Sequence, residues 1–223
     1  MKHVVVLTGA GISAESGLKT FRDANGLWEG HDVTQVATPE GFERNPDLVL
    51  EFYNQRRRQL MEVEPNSAHK ALVDLERDHK ITIITQNVDD LHERAGSTNV
   101  LHLHGELFKV RSTYDETDVF EWKTDLVLGD LCKKGYQLRP HIVWFGEAVP
   151  MIEKAMDICQ TADVLIIIGT SMQVYPAASL MHYVPLDTKI FYIDPNPAIS
   201  NNVQVTVIPE AATTGVEKVI NLI

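Results

Sequence analysis

Residues 3–13, His-Val-Val-Val-Leu-Thr-Gly-Ala-Gly-Ile-Ser, decide the fold of this 223-residue chain. A short valine-rich run is typical of a buried strand, and it leads directly into glycines that permit a tight turn. Residues 9–14 follow the G-x-G-x-x-G/A pattern, in which missing Cβ atoms let the backbone approach a pyrophosphate at a helix N-terminus. Because glycine-rich turns also occur without ligands, the pattern favours nucleotide binding only together with its surroundings.

Further apolar runs alternate with helical patterns, as in a parallel sheet covered by helices on both faces. The predicted strands are 3–7, 81–85, 163–168, 189–193 and 203–208, and the predicted helices are 46–61, 67–79, 151–161 and 216–223. Residues 24–64 contain no predicted strand, and residues 112–138 are polar and weakly periodic. We therefore predict an α/β fold, a Rossmann-like doubly wound parallel sheet with a small, discontinuous second module.

The two misfit stretches define the predicted domains. The sheet domain comprises residues 1–26, 65–111 and 139–223, and the small module comprises the insertions 27–64 and 112–138. The cleft between them is the expected ligand site.

Composition excludes several classes of protein. With 44% hydrophobic and 23% charged residues, the chain is not collagen, a coiled coil or wholly disordered, and no apolar run is long enough to cross a membrane. A net charge of −11 disfavours a nucleic-acid partner and permits a basic peptide. Two cysteines and no signal peptide predict a reduced, cytoplasmic protein, and nothing indicates an oligomeric state.

Two polar clusters follow predicted strands, where open α/β sheets bind ligands. Gln86, Asn87 and Asp89 follow the second predicted strand. Asn87 or Asp89 also suits a helix N-cap, whereas Gln86 has no such structural role. Residues 169–171, Gly-Thr-Ser, follow the third and suit either nucleotide contacts or a plain turn.

His102 and His104 share one face of a strand that Gly105 is expected to end. A lone histidine is more often structural, but one at the rim of a sheet can act as a general base near neutral pH. A dehydrogenase would next show a second strand ending in an acidic residue. Residues 17–28 instead read as a loop with Arg22 and two aromatic side chains, so hydride transfer is disfavoured.

Six motifs stand in order along the chain: Gly9-Ala10-Gly11-Ile12-Ser13, Phe21-Arg22, Gln86-Asn87-Val88-Asp89, His104-Gly105, Val143-Trp144-Phe145-Gly146-Glu147 and Gly169-Thr170-Ser171. In this order they resemble the sirtuin signatures, and the resemblance covers essentially the whole chain. It implies an NAD-dependent protein-lysine deacylase, an acyl transferase that yields nicotinamide, O-acyl-ADP-ribose and free lysine. NAD would be the cofactor, and acylated lysine in proteins or peptides the substrate.

The resemblance also implies roles for the matched residues. His104 would be the general base for a ribose hydroxyl, and Asn87 would be a second catalytic residue. The implied NAD-binding residues are Gly9, Ala10, Gly11, Ser13, Ala14, Glu15, Thr20, Phe21, Arg22, Trp28, Gln86, Asn87, Val88, Asp89, Gly169, Thr170, Ser171, Asp194, Pro195, Asn196 and Ala211. The implied peptide-binding strand, used by strand addition, is Val143, Trp144, Phe145 and Gly146.

Acyl specificity is suggested by the helix at 46–61. Tyr53 and Arg56 lie three residues apart and share a face, and a guanidinium beside a phenol suits a carboxylate. A solvated basic face accounts for Arg57 or Arg58. The spacing resembles class III sirtuins, and Ala37 matches the small residue that leaves their acyl pocket roomy. The resemblance thus implies desuccinylase and demalonylase activity beside deacetylation.

The chain departs from the family pattern at the zinc site. Sirtuins of this type usually carry two cysteine pairs in the small module, but residues 105–142 contain only Cys132. One thiol cannot complete a four-ligand site, so we predict no metal. The module is instead expected to be held by its apolar residues, Tyr114, Val119, Phe120, Trp122, Leu126, Leu128 and Tyr136.

Two other functions remain open. One is protein ADP-ribosyl transfer, in which a protein side chain attacks the same activated ribose. The other is a catalytically weak NAD- or ADP-ribose-binding module, which the lost zinc site makes plausible. His104 and Asn87 argue against a binding-only module, and the pair Tyr53 and Arg56 argues against pure ADP-ribosyl transfer.

Overall fold

The apolar runs form a parallel sheet in the computed structural model, which describes residues 1–19 and 27–223. The strands in these residues are β1 (His3–Thr8), β2 (Leu27–Trp28), β3 (His31–Asp32), β4 (Lys80–Thr85), β5 (Val100–His102), β6 (Gly105–Ser112), β7 (Val119–Glu121), β8 (Leu138–Ile142), β9 (Val164–Ile168), β10 (Lys189–Ile193) and β11 (Val205–Ile208). Strands β11-β10-β9-β1-β4-β5 lie side by side in that order, and every neighbouring pair is parallel. The predicted parallel sheet is confirmed.

Helices cover both faces of this sheet. The α-helices in the described residues are α1 (Val33–Val36), α2 (Pro39–Arg44), α3 (Pro46–Glu62), α4 (Ser67–Leu75), α5 (Leu91–Ala95), α6 (Ile152–Cys159) and α7 (Ala212–Ile220). Val4 and Val6 of β1 pack with residues of α4 and α7, whereas Val5 and Leu7 pack with residues of α6. Successive side chains of a strand point to opposite faces, so a strand buried on both sides is apolar throughout.

The predicted bounds differ from the observed ones mainly at element ends. Val203 is fully exposed, and β11 begins only at Val205. Helix α7 starts at Ala212 rather than at the predicted Val216, because the intervening threonines and glycine show no apolar period. By contrast, α3 starts at Pro46 as predicted, and Asn45 caps it, its side chain accepting a hydrogen bond from the N–H of Leu48 at 3.2 Å.

A second sheet is antiparallel, in the order β7-β6-β8. The prediction that Gly105 ends a strand is wrong, because β5 ends at His102 and Gly105 begins β6. Gly105 has φ +82°, and a Cβ there would lie 2.0 Å from the carbonyl oxygen of His141. The prediction of no strand between 24 and 64 also fails, since β2 and β3 pair there as two-residue strands too short to show a period.

A separate apolar cluster is formed by Leu50, Val110, Leu126, Cys132 and Leu138, with Phe120 and Trp122 packed against it. All of these except Val110 lie in the two insertions predicted to form the small module. Four residues expected in this core are instead exposed, namely Tyr114, Val119, Leu128 and Tyr136. Composition alone could not separate them from Leu126, because short strands and turns set which side chains face inward. The predicted division of the chain into a sheet domain and a small module stays a prediction.

Candidate active site

The sheet brings three loops together at the carboxyl edge of its central strands. The chain leaves β1 towards β4 on one side and later returns to β9 on the other, so the strand order reverses beside β1. Open α/β sheets bind ligands at such a reversal. The N–H of Gly9 donates to the carbonyl oxygen of Ile168 at 2.9 Å, and that of Gly11 donates to Gly169 at 2.8 Å. A cavity of about 720 Å³ opens at this edge.

Glycine is required where the loops after β1 and β9 touch. A Cβ at Gly11 would lie 2.5 Å from the Cα of Gly169, and one at Gly9 would lie 2.7 Å from its carbonyl oxygen. Gly169 also has φ +61°. The helix expected after the glycine loop is absent: residues 10–12 and 14–16 form two 3₁₀ turns. A pyrophosphate here would therefore meet the glycine loops themselves.

The cavity is lined by every described residue that the sequence assigned to the site. From the cofactor assignment these are Gly9, Ala10, Gly11, Ser13, Ala14, Glu15, Trp28, Gln86, Asn87, Val88, Asp89, Gly169, Thr170, Ser171, Asp194, Pro195, Asn196 and Ala211. From the catalytic and substrate assignments these are His104, Ala37, Tyr53, Arg56, Val143, Trp144, Phe145 and Gly146. Thr20, Phe21 and Arg22 lie outside the described residues.

Sequence reasoning missed other lining residues, among them Glu29, Gln59, Leu107, Glu147 and Tyr175. Glu147 ends a motif that the sequence had already marked, so its position gave a usable signal. Leu107 lies on β6, which was not predicted as a strand. Glu29 follows the predicted cofactor residue Trp28, but nothing in the sequence indicated its partner.

A hydrogen-bonded chain links the glycine loop to the loop after β4. The Ser13 hydroxyl donates to Asp89 Oδ2 at 3.0 Å, and Asn87 Nδ2 donates to the same hydroxyl at 3.3 Å. Gln86 Nε2 donates to the Thr170 hydroxyl at 3.1 Å. Asp89 Oδ1 also accepts from the N–H of Leu91, so this residue serves the start of α5 as well. Burial raises the pKa of Asp89 to about 6.

His104 is oriented as a base. Its Nδ1 lies 3.0 Å from the carbonyl oxygen of Gln86, and because a carbonyl only accepts, Nδ1 carries the proton. Nε2 of the neutral ring then holds a free lone pair. Burial lowers the pKa of His104, which keeps the ring neutral at pH 7. The backbone of the loop after β4 therefore sets the tautomer.

His102 has a different environment. Its Nδ1 faces the carbonyl oxygen of Asn87 at 3.2 Å, and its Nε2 lies 2.7 Å from Glu93 Oε1. Burial alone lowers the pKa of His102, but the hydrogen bond and charge of Glu93 outweigh this, so the pKa is raised. The side chain is not among those lining the cavity. Its contacts support the structural interpretation.

The acyl-pocket candidates sit on α3 and pack beneath the segment after β8. Tyr53 is fully buried, and its hydroxyl accepts a hydrogen bond from Trp144 Nε1 at 2.9 Å. Arg56 lies over the ring of Phe52, with its Cζ 4.2 Å from the ring centroid, and Nη1 donates to the carbonyl oxygen of Phe52. Arg56 Nε is buried and has no hydrogen-bond partner in residues 1–19 and 27–223.

The two neighbouring arginines of α3 differ from each other. Arg58 is half exposed and pairs with Glu51 and Asp125, as a solvated basic face predicts. Arg57 is fully buried and donates to the side chain of Asn54 and the carbonyl oxygen of Leu107. Arg57 thus ties α3 to β6.

Residues 143–146 do not form the predicted strand. They follow β8 as an irregular segment, and the N–H groups of Val143, Trp144 and Phe145 all donate within the chain. The local fold is set by Glu147, whose carboxylate accepts from Arg139 at 2.6 Å and from Arg111 at 3.2 Å. The Arg139 guanidinium lies 3.3 Å from the Trp144 ring centroid, which holds that indole against Tyr53.

Within residues 1–19 and 27–223, no group of three or more His, Cys, Asp or Glu side chains is arranged to hold a metal ion. Cys132 Sγ is 3.4 Å from the Ser112 hydroxyl instead. The absence of zinc stays a prediction. Across the same residues, helices of the length and apolar character needed to span a membrane are absent.

The sequence is similar to a known protein family and to named relatives. A sequence model of the Sir2 family matches residues 9–176. A protein from Helicobacter pylori named NAD-dependent protein deacylase is 62% identical over 207 residues, which cover 92% of this chain and 90% of the relative. A protein of the same name from Bacteroides thetaiotaomicron is 53% identical over 230 residues, covering 100% and 98%.

Solved structures of Sir2 proteins are also similar to this chain. A complex of a Sir2 homologue with NAD has a TM-score of 0.89 at 40% identity, covering 99% of this chain and 89% of that chain. A complex of Sir2 with a p53 peptide and NAD⁺ has a TM-score of 0.79 at 28% identity, covering 98% and 92%.

Proposed function

The chain belongs to the Sir2 family, and on that premise we propose that it is an NAD-dependent protein-lysine deacylase that removes acetyl, succinyl and malonyl groups. The observation that carries the proposal is one cavity that joins the glycine loops, His104 and the pair Tyr53 and Arg56. The first would hold a dinucleotide, the second would take a proton, and the pair would recognise the acyl group. An ADP-ribosyltransferase would not need the pair Tyr53 and Arg56, because it does not bind an acyl group.

The residues of the cavity fit NAD. A Cβ at Gly9, Gly11 or Gly169 would collide with the facing loop, so glycine lets both loops meet at the edge of the cavity. Glycine backbone of this kind can approach phosphates closely. Gln86, Asn87 and Asp89 would hold the nicotinamide half, and residues 169–171, 194–196 and 211 the adenosine half. Bound NAD supplies an activated ribose that accepts the acyl group as nicotinamide leaves.

His104 would act on a ribose hydroxyl. With Nδ1 donating to Gln86, Nε2 is the atom that takes the proton. Its lowered pKa favours the unprotonated ring at neutral pH, so the base is ready without prior deprotonation. Asn87, held by Ser13 beside it in the same cavity, would orient the ribose.

Tyr53 and Arg56 would recognise a carboxylate on the acyl group. Because the Tyr53 hydroxyl already accepts from Trp144, its own proton is left to donate to a second acceptor. Arg56 Nε is an unpartnered buried donor, and such a group is costly unless a ligand satisfies it. Ala37 is buried in the same apolar cluster and adds little bulk.

The peptide around the acylated lysine would lie along residues 143–146. Phe145 and Gly146 are exposed at the cavity mouth, so their backbone carbonyl groups are within reach of an extended peptide. We also propose a cytoplasmic site of action, which suits the buried free thiols Cys132 and Cys159.

The test is nicotinamide release from NAD with acetyl-lysine and succinyl-lysine forms of one peptide, with products identified by mass. We expect acyl-dependent release and O-acyl-ADP-ribose from both peptides. Release without any dependence on the acyl peptide, with ADP-ribose attached to protein, would support ADP-ribosyl transfer instead. NAD binding with no release would support a binding module.

The acyl-recognition part is tested with Arg56→Met, using Arg58→Met as the matched control. Loss of the guanidinium should lower succinyl kcat/KM at least about tenfold, while acetyl turnover changes much less, because only succinyl carries a carboxylate. Arg58 is exposed and should alter neither. Equal losses with both peptides would show that Arg56 does not bind the carboxylate.

A further inference from the structure

An acidic side chain stands beside the proposed carboxylate site. Glu29 occupies the turn between β2 and β3 with φ +50°, and its side chain is only 13% exposed. Its Oε2 lies 3.1 Å from Lys19 Nζ and 4.0 Å from Arg56 Nη2. Glu29, Lys19 and Arg56 line the same cavity as Tyr53.

The contact between Glu29 and Arg56 is an attraction without a close hydrogen bond. At 4.0 Å the two groups are too far apart for the forked pairing of 2.7–2.9 Å that carboxylates make with arginine. Burial lowers the pKa of Arg56, and the charge of Glu29 is the largest influence that opposes this. Among the residues that the structure describes, Glu29 is therefore the main counter-charge of Arg56, and none of them accepts a hydrogen bond from Arg56 Nε.

An acyl carboxylate at Arg56 would bring a second negative charge towards Glu29. Like charges a few ångströms apart repel strongly where water is scarce. Lys19 pairs with the same Glu29 oxygen, and its side chain is 70% exposed, so it offsets part of that negative charge. An acetyl group carries no charge and escapes this repulsion.

We propose that Glu29 is a specificity-determining residue that disfavours carboxylate-bearing acyl groups relative to acetyl by competing with them for Arg56. Lys19 acts in the opposite sense, because its ammonium group competes with Arg56 for the same Glu29 oxygen. This inference rests on the proposed deacylase function. Tyr53 and Arg56 account for binding of a carboxylate, whereas Glu29 would set how strongly the enzyme prefers acetyl over carboxylate-bearing acyl groups.

The experiment compares kcat/KM for acetyl-lysine and succinyl-lysine forms of one peptide in the wild type and in Glu29→Gln. We expect the succinyl-to-acetyl ratio to rise about tenfold, equivalent to about 1.4 kcal/mol, mainly through a lower succinyl KM. The ratio cancels any uniform loss of active protein. Lys19→Gln should lower the ratio, since Glu29 is then held by Arg56 alone.

The matched control is Glu62→Gln, which removes the same charge from the last residue of α3. Glu62 is exposed and is not among the charges that shift the pKa of Arg56, so the ratio should change less than about twofold. An unchanged ratio in Glu29→Gln would overturn the proposal. A lower ratio would also overturn it, because Glu29 would then be holding Arg56 in place for the substrate.

The outcomes separate this inference from the proposed function. If the wild type removes acetyl but not succinyl, a gain of desuccinylation in Glu29→Gln supports the inference, and no gain contradicts it. If neither protein releases nicotinamide with any acylated peptide while NAD still binds, the deacylase function itself fails.

Discussion

His102 and His104 are separated by one residue but have opposite pKa shifts, because their neighbours differ. His102 meets the carboxylate of Glu93, whereas His104 meets only the carbonyl oxygen of Gln86 at its Nδ1. A carboxylate favours the imidazolium, and burial beside a carbonyl favours the neutral ring. Only the second environment produces a base at pH 7.

Replacing the proposed base tests this assignment. His104→Ala should keep NAD binding, since the glycine loops are untouched, but lower kcat by about 10²- to 10⁴-fold, the usual contribution of a general base. Isothermal titration with NAD and single-turnover deacylation measure the two properties. His182→Ala, an exposed histidine at the end of the 3₁₀ turn Ala177–His182, is the control and should behave as wild type. Near-normal turnover in His104→Ala would show that His104 is not the general base.

At the scale of elements, α3 contributes side chains to two separate apolar clusters. Tyr53 packs in one cluster with Phe52, Leu60 and Trp144. Leu50, on the same helix, belongs to the separate cluster that contains Leu126. Asn54 binds the backbone of Leu126 in both directions, accepting from its N–H at 2.8 Å and donating to its carbonyl oxygen at 3.0 Å. The helix therefore joins this cluster to the residues proposed to recognise the acyl group.

The importance of that packing can be measured with two leucines that the sequence could not tell apart. Leu126 is fully buried, whereas Leu128 is 47% exposed. Leu126→Ala should lower the free energy of unfolding by about 2–5 kcal/mol through lost burial and a cavity. Leu128→Ala should cost less than about 1 kcal/mol. Urea denaturation gives both values, and similar losses would mean that the module is not held by this cluster.

At the scale of the whole molecule, buried titratable groups make stability depend on pH. Burial lowers the pKa of His69 to about 4. Burial, followed by the charge of His69, lowers that of His92, whose ring centroid is 4.9 Å away. The unfolded chain then binds protons first, so these histidines contribute stability that is lost as pH falls below about 6.5. Asp89 acts oppositely: with its pKa raised to about 6, the folded state binds the proton first, and acidification through that value stabilises it.

Asp89→Asn should therefore steepen the loss of stability in acid. Removing Asp89 takes away a group that opposes the histidine contribution, so between pH 7 and pH 4 the variant should lose about 2 kcal/mol more than the wild type. Urea unfolding curves at several pH values measure the difference. Parallel profiles for the two proteins would show that Asp89 titrates alike in the folded and unfolded states.

The sequence by itself determined the parallel sheet and the glycine loops, and its resemblance to a known family implied many of the residues that line the cavity. These features depend on local rules: apolar runs form buried strands, glycine alone tolerates close backbone contact, and parallel strands end at one edge. The order of the motifs then indicated the family, and the comparisons confirm that resemblance.

Only the tertiary structure decided what each side chain meets. Gly105 begins β6 at a point where a Cβ would collide with His141, and Leu128 is exposed while Leu126 is buried. The tautomer of His104, the bond from Trp144 to Tyr53 and the charge of Glu29 beside Arg56 all join residues distant in the chain. Such contacts depend on long-range packing, which short-range periodicity does not encode. The cavity could thus be located from the sequence, while its electrostatic balance required the fold.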